Sequence, residues 1–296
     1  MYVLPDTVIS LANYAINGLV EGLLISLPAL ALTLVMGIAR FASAATGDYM
    51  TVSAYAAVGS QKLIGTSLAI AAIGSIAAGI ALSLLFYILV FRALQGRPVV
   101  ISMIASIGVA FLARSTLTLF VGHDQFTIDV PLMRAWDFGG IRILPTDLAI
   151  AATAAAAVTA LFLLLHCMPI GRHMRAVADN PDLARTSGIR AKRVMIVVWS
   201  LAGALCAIGG FLFGVKGAVV PELGWGLLIP VFAAMIVGGI GSPIGAVVGG
   251  VMLGLIQELS VPLVGPSYKT VVAFGMLLLV LLIRPRGMFG AHVAVR

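Results

Sequence analysis

Residues Leu63–Phe91, LIGTSLAIAAIGSIAAGIALSLLFYILVF, form one continuous run without Asp, Glu, Lys, Arg or His. A helix of about 20 residues spans the ~30 Å hydrocarbon core of a bilayer, so a run of this length predicts a transmembrane helix. Similar runs recur along the chain, several without a charged residue and two with a single one: Leu11–Ile38 (Glu21), Val99–Val121 (Arg114), Leu148–Leu165, Val194–Val215, Leu223–Gln257 and the shorter Thr270–Ile283.

The composition of the whole chain agrees with a membrane protein. Of its 296 residues, 10% are charged and 61% are hydrophobic, and the mean hydropathy is +1.14. A soluble domain carries about 25% charged residues, so this composition excludes a soluble enzyme or a nucleic-acid-binding domain despite the net charge of +7. The two cysteines, Cys167 and Cys206, lie at or inside apolar runs and predict neither a disulfide framework nor a metal site. No cofactor is expected.

The distribution of Lys and Arg predicts the orientation of the helices. Segment Pro169–Arg193 carries six basic residues against Asp179 and Asp182, and cytoplasmic loops hold such excess positive charge. If this segment is inside and each predicted helix crosses the membrane once, 12 of the 18 basic residues lie inside. The N-terminus and loop 122–142 are then outside, and the C-terminus is inside. We therefore predict an all-α polytopic bundle, one transmembrane domain over residues 1–296, with a cytoplasmic coupling loop at 169–193.

The number of crossings depends on two segments. With both ends of Leu223–Gln257 on the outer side, this run must turn once inside the cell, and Gly238–Pro243 is the natural break because Gly and Pro interrupt helices. The weaker segment Ala44–Gln61 contains Asp48 and adds one more crossing. We expect nine passes, or eight if one weak segment does not cross.

Small residues at helical spacing predict where helices approach one another closely. Gly203, Gly210 and Gly214 share one face of a helix, and Gly250 with Gly254 forms a GxxxG pair. The glycine-rich stretch after Gly238 lacks the Lys-Ser/Thr of a nucleotide-binding loop, so the chain is not expected to hydrolyse ATP itself.

A few polar residues lie within the predicted spans, where an ionisable side chain is costly unless it faces protein or water. Asn13, Asn17 and Glu21 recur every four residues and share a stripe on the first helix. We predict that Asn17 and Glu21, together with Asp48 and Arg114, line a translocation path. An equally good interpretation of the stripe is that Asn13 and Asn17 lie at the outer membrane interface and that Glu21 forms a local pair. The alternative for Asp48 and Arg114 is that each is a structural ion partner.

The segment around Asn180 predicts a short helix on the cytoplasmic face. Asn180, Pro181 and Asp182 are typical of an N-cap, a first position and an acidic first turn, and Gly188 is typical of a residue that ends a helix. We interpret this helix of about two turns as a docking element for a partner. A solvated basic loop is the alternative.

Three stretches together resemble a known family. They are Asn17-Gly-Leu19, Arg175-Ala-Val-Ala-Asp-Asn180 with Gly188-Ile189, and Val237-Gly-Gly-Ile-Gly-Ser-Pro-Ile-Gly-Ala246 with Arg284-Pro-Arg-Gly-Met-Phe-Gly290. The chain is similar, from about Asn17 to Gly290, to the permeases of bacterial ABC importers for branched-chain and other hydrophobic amino acids. It departs at Ser43–Asp48, where the family usually reads Asn-Phe-Ala-His-Gly-Glu, so the resemblance leaves more than one class of solute open.

The resemblance implies a subunit of the bacterial cytoplasmic membrane with several partners. These are two ATP-binding subunits, a second permease that is homologous or identical, and an extracytoplasmic solute-binding protein. It also implies that the cytoplasmic loop engages the ATPase through a set of residues within it: Arg175, Asp179, Asn180, Pro181, Asp182, Arg185 and Gly188. The solute is a branched-chain or other small amino acid, or alternatively urea, an amide or another small polar solute. A different class, an ion-coupled secondary transporter or channel, would act without an ATPase.

Overall fold

The computed structural model describes residues 6–131, 133–138, 140–284 and 287–290, and most of them are helical. The helices in chain order are α1 (Asp6–Ala39), α2 (Ala45–Ile64), α3 (Leu68–Phe86), α4 (Val99–Val121), α5 (Pro145–Cys167), α6 (Pro169–Asp179), α7 (Pro181–Thr186), α8 (Ala191–Lys216), α9 (Leu223–Gly238), α10 (Pro243–Val264) and α11 (Lys269–Ile283). A π-helical turn, Tyr87–Phe91, continues α3, a 3-10 turn, Pro266–Tyr268, precedes α11, and strands β1 (Trp136–Phe138) and β2 (Ile141–Ile143) pair antiparallel.

The helix bounds confirm the predicted all-α polytopic architecture. Within the described residues, seven helical segments are long and apolar enough to cross a membrane: Ile9–Ala39, Leu68–Phe91, Val99–Val121, Pro145–Cys167, Ala191–Lys216, Pro243–Val264 and Pro266–Ile283. Helix α9 is apolar but short, and α2 carries polar and charged residues. The orientation and the total of eight or nine passes therefore stay predictions.

The long apolar run after residue 222 is divided at the predicted place. Helix α9 ends at Gly238 and α10 begins at Pro243. Between them Gly239 and Gly241 have φ of 112° and 84°, a region that favours glycine, and Ser242 caps α10 by accepting a hydrogen bond from the backbone N–H of Gly245 at 3.1 Å. The two glycines and the capping Ser242 therefore explain why the chain turns here.

Helix α1 is the centre of the bundle and packs against α10, α8, α5 and α9. Its contact with α10 uses small residues, as predicted. A Cβ on Gly22 would lie 2.6 Å from Val251 Cα, and a Cβ on Gly250 would lie 2.9 Å from Ser26 Cα. On α8, a Cβ on Gly203 would lie 2.5 Å from the carbonyl oxygen of Gly79 in α3. Close backbone packing thus replaces the hydrophobic driving force that is absent in lipid.

The predicted external loop 122–142 contacts the bundle at one end. Phe126 forms an isolated antiparallel bridge with Val219, and Tyr55 donates to the carbonyl oxygen of Asp124 at 3.3 Å. Asn13 Oδ1 accepts from the backbone N–H of Arg142 at 3.0 Å. These contacts hold the segment against the ends of α1, α2 and α8.

Candidate functional site

A buried ion pair between α2 and α4 is the most polar feature within the apolar part of the bundle. Arg114 donates from Nε to Asp48 Oδ1 at 3.1 Å and from Nη2 to Oδ1 and Oδ2 at 3.0 and 3.2 Å. The Asp48 side chain is 1% exposed and that of Arg114 is 15% exposed. Trp225 of α9 covers the guanidinium, whose Cζ lies 4.7 Å from the indole centroid.

Close packing of α2 against the start of α9 positions this pair. A Cβ on Gly47 would lie 2.5 Å from the carbonyl oxygen of Gly224, and a Cβ on Gly224 would collide with the carbonyl oxygen of Gly47. Thr51 Oγ1 accepts from the backbone N–H of Gly224 at 3.0 Å. Because neither glycine leaves room for a side chain, the backbone beside Asp48 lies directly against the start of α9.

A polar cavity lies next to Arg114. It has a volume of about 390 Å³ and is lined by charged, polar and two apolar residues: Arg114, Thr118, His123, Gln125, Val220, Pro221 and Glu222. Asp48 binds Nε and Nη2 of Arg114, so Nη1 keeps its donors for another acceptor. The cavity therefore offers a guanidinium donor and the carboxylate of Glu222 together with several neutral hydrogen-bonding groups.

Glu21 belongs to a separate group on the side that the sequence predicts to be external, which we name the outer cluster: Glu21, Lys216, Glu258 and Lys269. Glu21 Oε2 lies 3.5 Å from Lys216 Nζ and 3.4 Å from Lys269 Nζ, and Lys269 also pairs with Glu258. The Glu258 side chain is 9% exposed, so its pairing with Lys269 lies largely out of solvent. The cluster ties α1, α8, α10 and α11 together.

The predicted path residues are thus not brought together as one stripe. The structure joins Asp48 to Arg114 and joins Glu21 to two lysines, while Asn17 lies exposed on α1. Sequence reasoning missed Glu222 and Trp225 beside Arg114. The available signal was the position of Glu222 directly before an apolar run and six residues after Lys216.

The predicted cytoplasmic segment, residues 169–193, contains two helices, α6 and α7, where the sequence predicted one. The predicted short helix and its caps are confirmed in α7. Asn180 Oδ1 accepts from the backbone N–H groups of Asp182 and Leu183 at 3.1 and 3.0 Å. At the other end Gly188 has φ of 80°, its N–H donates to Arg185 O and the N–H of Ile189 donates to Ala184 O, both at 3.0 Å, which is a Schellman motif.

Helix α6 attaches this segment to the bundle. Arg175 Nη1 donates to Leu165 O of α5 at 2.8 Å, and a Cβ on Gly171 would collide with the same carbonyl. Arg40, which follows α1, donates from Nη2 to Ala178 O at 3.0 Å. Asp182 and Arg185 are exposed and lie 3.6 Å apart, and Asp179 is also exposed. Leu183 projects from α7 with 65% of its surface exposed.

Comparisons with known proteins agree with this architecture. BraD, the high-affinity branched-chain amino acid transport system permease protein of Pseudomonas aeruginosa, is 29% identical over 289 residues, with 93% of this chain and 94% of BraD covered. The corresponding LivH protein of Escherichia coli is 27% identical over 288 residues, with 93% and 94% covered. The solved structure of PsaBC from Streptococcus pneumoniae in complex with Fab has a TM-score of 0.51 at 12% identity, covers 92% of each chain, and supports the fold alone.

The family model described as branched-chain amino acid transport system, permease component, matches residues 14–281. This range includes α2 to α10 in full, with the ion pair, the outer cluster and the capped helix α7. The chain therefore belongs to the family of permease components of branched-chain amino acid transport systems, and it is a multi-pass inner-membrane permease of the ABC importer class.

Proposed function

We propose that this permease imports a branched-chain or other small amino acid, that partner subunits hydrolyse the ATP, and that α6 and α7 carry the motion of these subunits to the bundle. An extracytoplasmic binding protein delivers the solute, and a second permease, identical or homologous, completes the membrane part. The names of the relatives, which are branched-chain amino acid transport permeases, support the substrate class.

The observation that carries the coupling role is the construction of α7. Both ends of this six-residue helix are capped, so its shape does not depend on a partner, and yet Leu183 is left exposed. A rigid polar element with one exposed apolar residue is suited to insertion into a partner surface. Its connection through α6 to Leu165 and Arg40 gives a route from such a partner to α5 and α1.

The predicted path residues divide into two roles in this proposal. Asp48 and Arg114 lie next to the polar cavity and line the path. Glu21 and the rest of the outer cluster fasten four helices to one another, and Asn17 lies on the exposed surface one turn away from Glu21. Arg175 acts through its bond to Leu165 by holding α6, whereas Asp179, Asn180, Pro181, Asp182, Arg185 and Gly188 shape or present the docking element.

The polar cavity favours an amino acid over urea or an amide. Its volume of about 390 Å³ lies in the range of small-molecule sites. Arg114 Nη1 suits a carboxylate, Glu222 suits an ammonium group, and Val220 and Pro221 provide an apolar wall. A neutral amide or urea would leave Glu222 without a cationic partner and would lose that charge-assisted contact.

Reconstitution tests this function. The tagged chain is purified from its native membranes with its bound subunits, incorporated into proteoliposomes with ATP inside, and supplied with the binding protein and radiolabelled leucine. We expect uptake that requires ATP and is reduced at least about tenfold by Leu183→Asp, because a charge in a desolvated contact costs several kcal/mol. Leu144→Asp, the same change at the exposed residue before α5, is the matched control.

Two results would contradict the proposal. Uptake by the chain alone, driven by an ion gradient, would indicate the secondary transporter or channel. Uptake of urea or acetamide in place of leucine would reject the amino-acid substrate. For the cavity itself, Glu222→Gln should lower leucine uptake about tenfold through loss of one charge-assisted contact, whereas Asp129→Asn in the external segment should not.

A further inference from the structure

A large cavity lies at the end of the bundle that carries α6 and α7. It has a volume of about 1130 Å³ and opens between the α1–α2 junction, the linker from α3 to α4 and the start of α8. We name it the basic cleft because its charged lining residues are all cationic: Arg40, Arg97, Arg185, Arg190, Lys192 and Arg193.

Few of these cations have a counterion. None of the described residues that line the basic cleft is acidic. Arg185 lies 3.6 Å from Asp182, but both side chains are well exposed, and such surface pairs contribute little. Arg40 donates to a neutral carbonyl, that of Ala178. The lining therefore concentrates positive charge around one concave space and attracts an anion.

The remaining wall of the cleft is apolar and aromatic. Phe41, Phe91 and Trp199, each at most 5% exposed, pack together beneath its base, with ring centroids of Phe91 and Trp199 4.6 Å apart and those of Phe41 and Phe91 5.3 Å apart. Aliphatic side chains of α1 and α8, including Ile38 and Ile196, continue this wall. A small inorganic anion would use the cationic rim and leave this wall in contact with water, whereas an amphipathic anion matches both.

The position along the helices suits a membrane lipid. Arg97 lies just before the apolar helix α4, and Lys192 and Arg193 lie in the first turn of α8, so these cations stand where apolar segments end. This is the depth of phospholipid headgroups. Basic pockets between transmembrane helices bind anionic headgroups, with each Lys or Arg adding to the attraction.

We propose that the basic cleft binds an anionic phospholipid, with its phosphate held by Arg97, Lys192 and Arg193 and its apolar part against the wall at Ile38 and Ile196. This site is separate from the proposed transport path and does not depend on it. A lipid bound there bridges the α3–α4 linker and α8.

Lipid analysis of the purified protein tests the site. The full chain, with any bound partner subunits, is incorporated into nanodiscs of phosphatidylcholine with 20% phosphatidylglycerol, and bound lipid is quantified by native mass spectrometry. The test variant is Arg97→Gln/Arg193→Gln. The matched control is Arg92→Gln/Arg172→Gln, which removes two exposed cations that do not line the cleft. A parallel arm adds 10 mM inorganic phosphate or ATP as competitor.

We expect phosphatidylglycerol to be enriched in the native chain and in the control, and to bind about tenfold more weakly to the test variant. The competitors should not displace it, because they lack the apolar part. Three results would overturn the proposal: no enrichment in the native chain, equal enrichment in all three proteins, or displacement by free phosphate or ATP, which would identify a soluble anion as the ligand. Equal elution volumes in size-exclusion chromatography check that both variants are folded.

Discussion

Removal of Arg114 should destabilise the protein far more than removal of its partner. Arg114→Gln leaves the Asp48 carboxylate, whose side chain is 1% exposed, without a cation. Breaking a buried ion pair in this way costs about 3–5 kcal/mol. Asp48→Asn leaves the guanidinium, but this side chain is 15% exposed and remains 4.7 Å from the Trp225 ring, so the expected cost is about 1–2 kcal/mol.

The assay is thermal unfolding of the purified chain in detergent, followed by tryptophan fluorescence. At about 2 °C per kcal/mol for a chain of this size, Arg114→Gln should lower the midpoint by about 6–10 °C and Asp48→Asn by about 2–4 °C. The double variant Asp48→Asn/Arg114→Gln removes both charges and should be more stable than Arg114→Gln alone. Equal effects of the two single variants, with strict additivity in the double variant, would refute the reasoning that the pair is desolvated and mutually dependent.

Further predictions concern packing, capping and the outer cluster. Gly224→Ala should sharply reduce the monodisperse fraction in size-exclusion chromatography, because the added Cβ would collide with the carbonyl oxygen of Gly47. Gly226→Ala should not, because a Cβ at this position would have no neighbouring atom within 4 Å. Asn180→Ala should remove about 1 kcal/mol of local stability from α7 and lower ATP-driven uptake severalfold, and Asn180→Asp, which keeps the cap, should retain uptake. Glu21→Gln should lower the thermal midpoint by about 2 °C, and the effect should shrink at high salt because the cluster is partly exposed; an equal effect at low and high salt would contradict the ionic role.

The apolar runs predicted most of the fold because lipid permits few alternatives for a backbone whose polar groups must be satisfied internally. Val99–Val121 has the predicted bounds, and the break after Gly238 lies where glycine and proline indicated it. Helix α6 was missed because its buried residues, Gly171, Met174 and Val177, recur at helical spacing but are only three, and charged residues lie between them.

The arrangement of the charged groups could be predicted only in part. Asp48 and Arg114 were recognised as costly residues within spans, but they are 66 positions apart, and only the packing of α2 against α4 pairs them. In the same way, spacing along α1 placed Glu21 on a face, and the partners came from the ends of α8 and α11. Local spacing defines one helix face, whereas ion pairs between helices depend on tertiary packing.

The side of the membrane on which α7 lies is the most direct test of the account. In a chain with Cys167→Ala and Cys206→Ala, a cysteine is introduced at the exposed Ser187 at the end of α7 or, as a control, at the exposed Arg134 in the predicted external loop. A membrane-impermeant maleimide should label the Ser187→Cys protein in inside-out vesicles and not in intact spheroplasts, with the reverse for Arg134→Cys. Labelling of Ser187→Cys from outside the cell would contradict the cytoplasmic docking of an ATPase on α7.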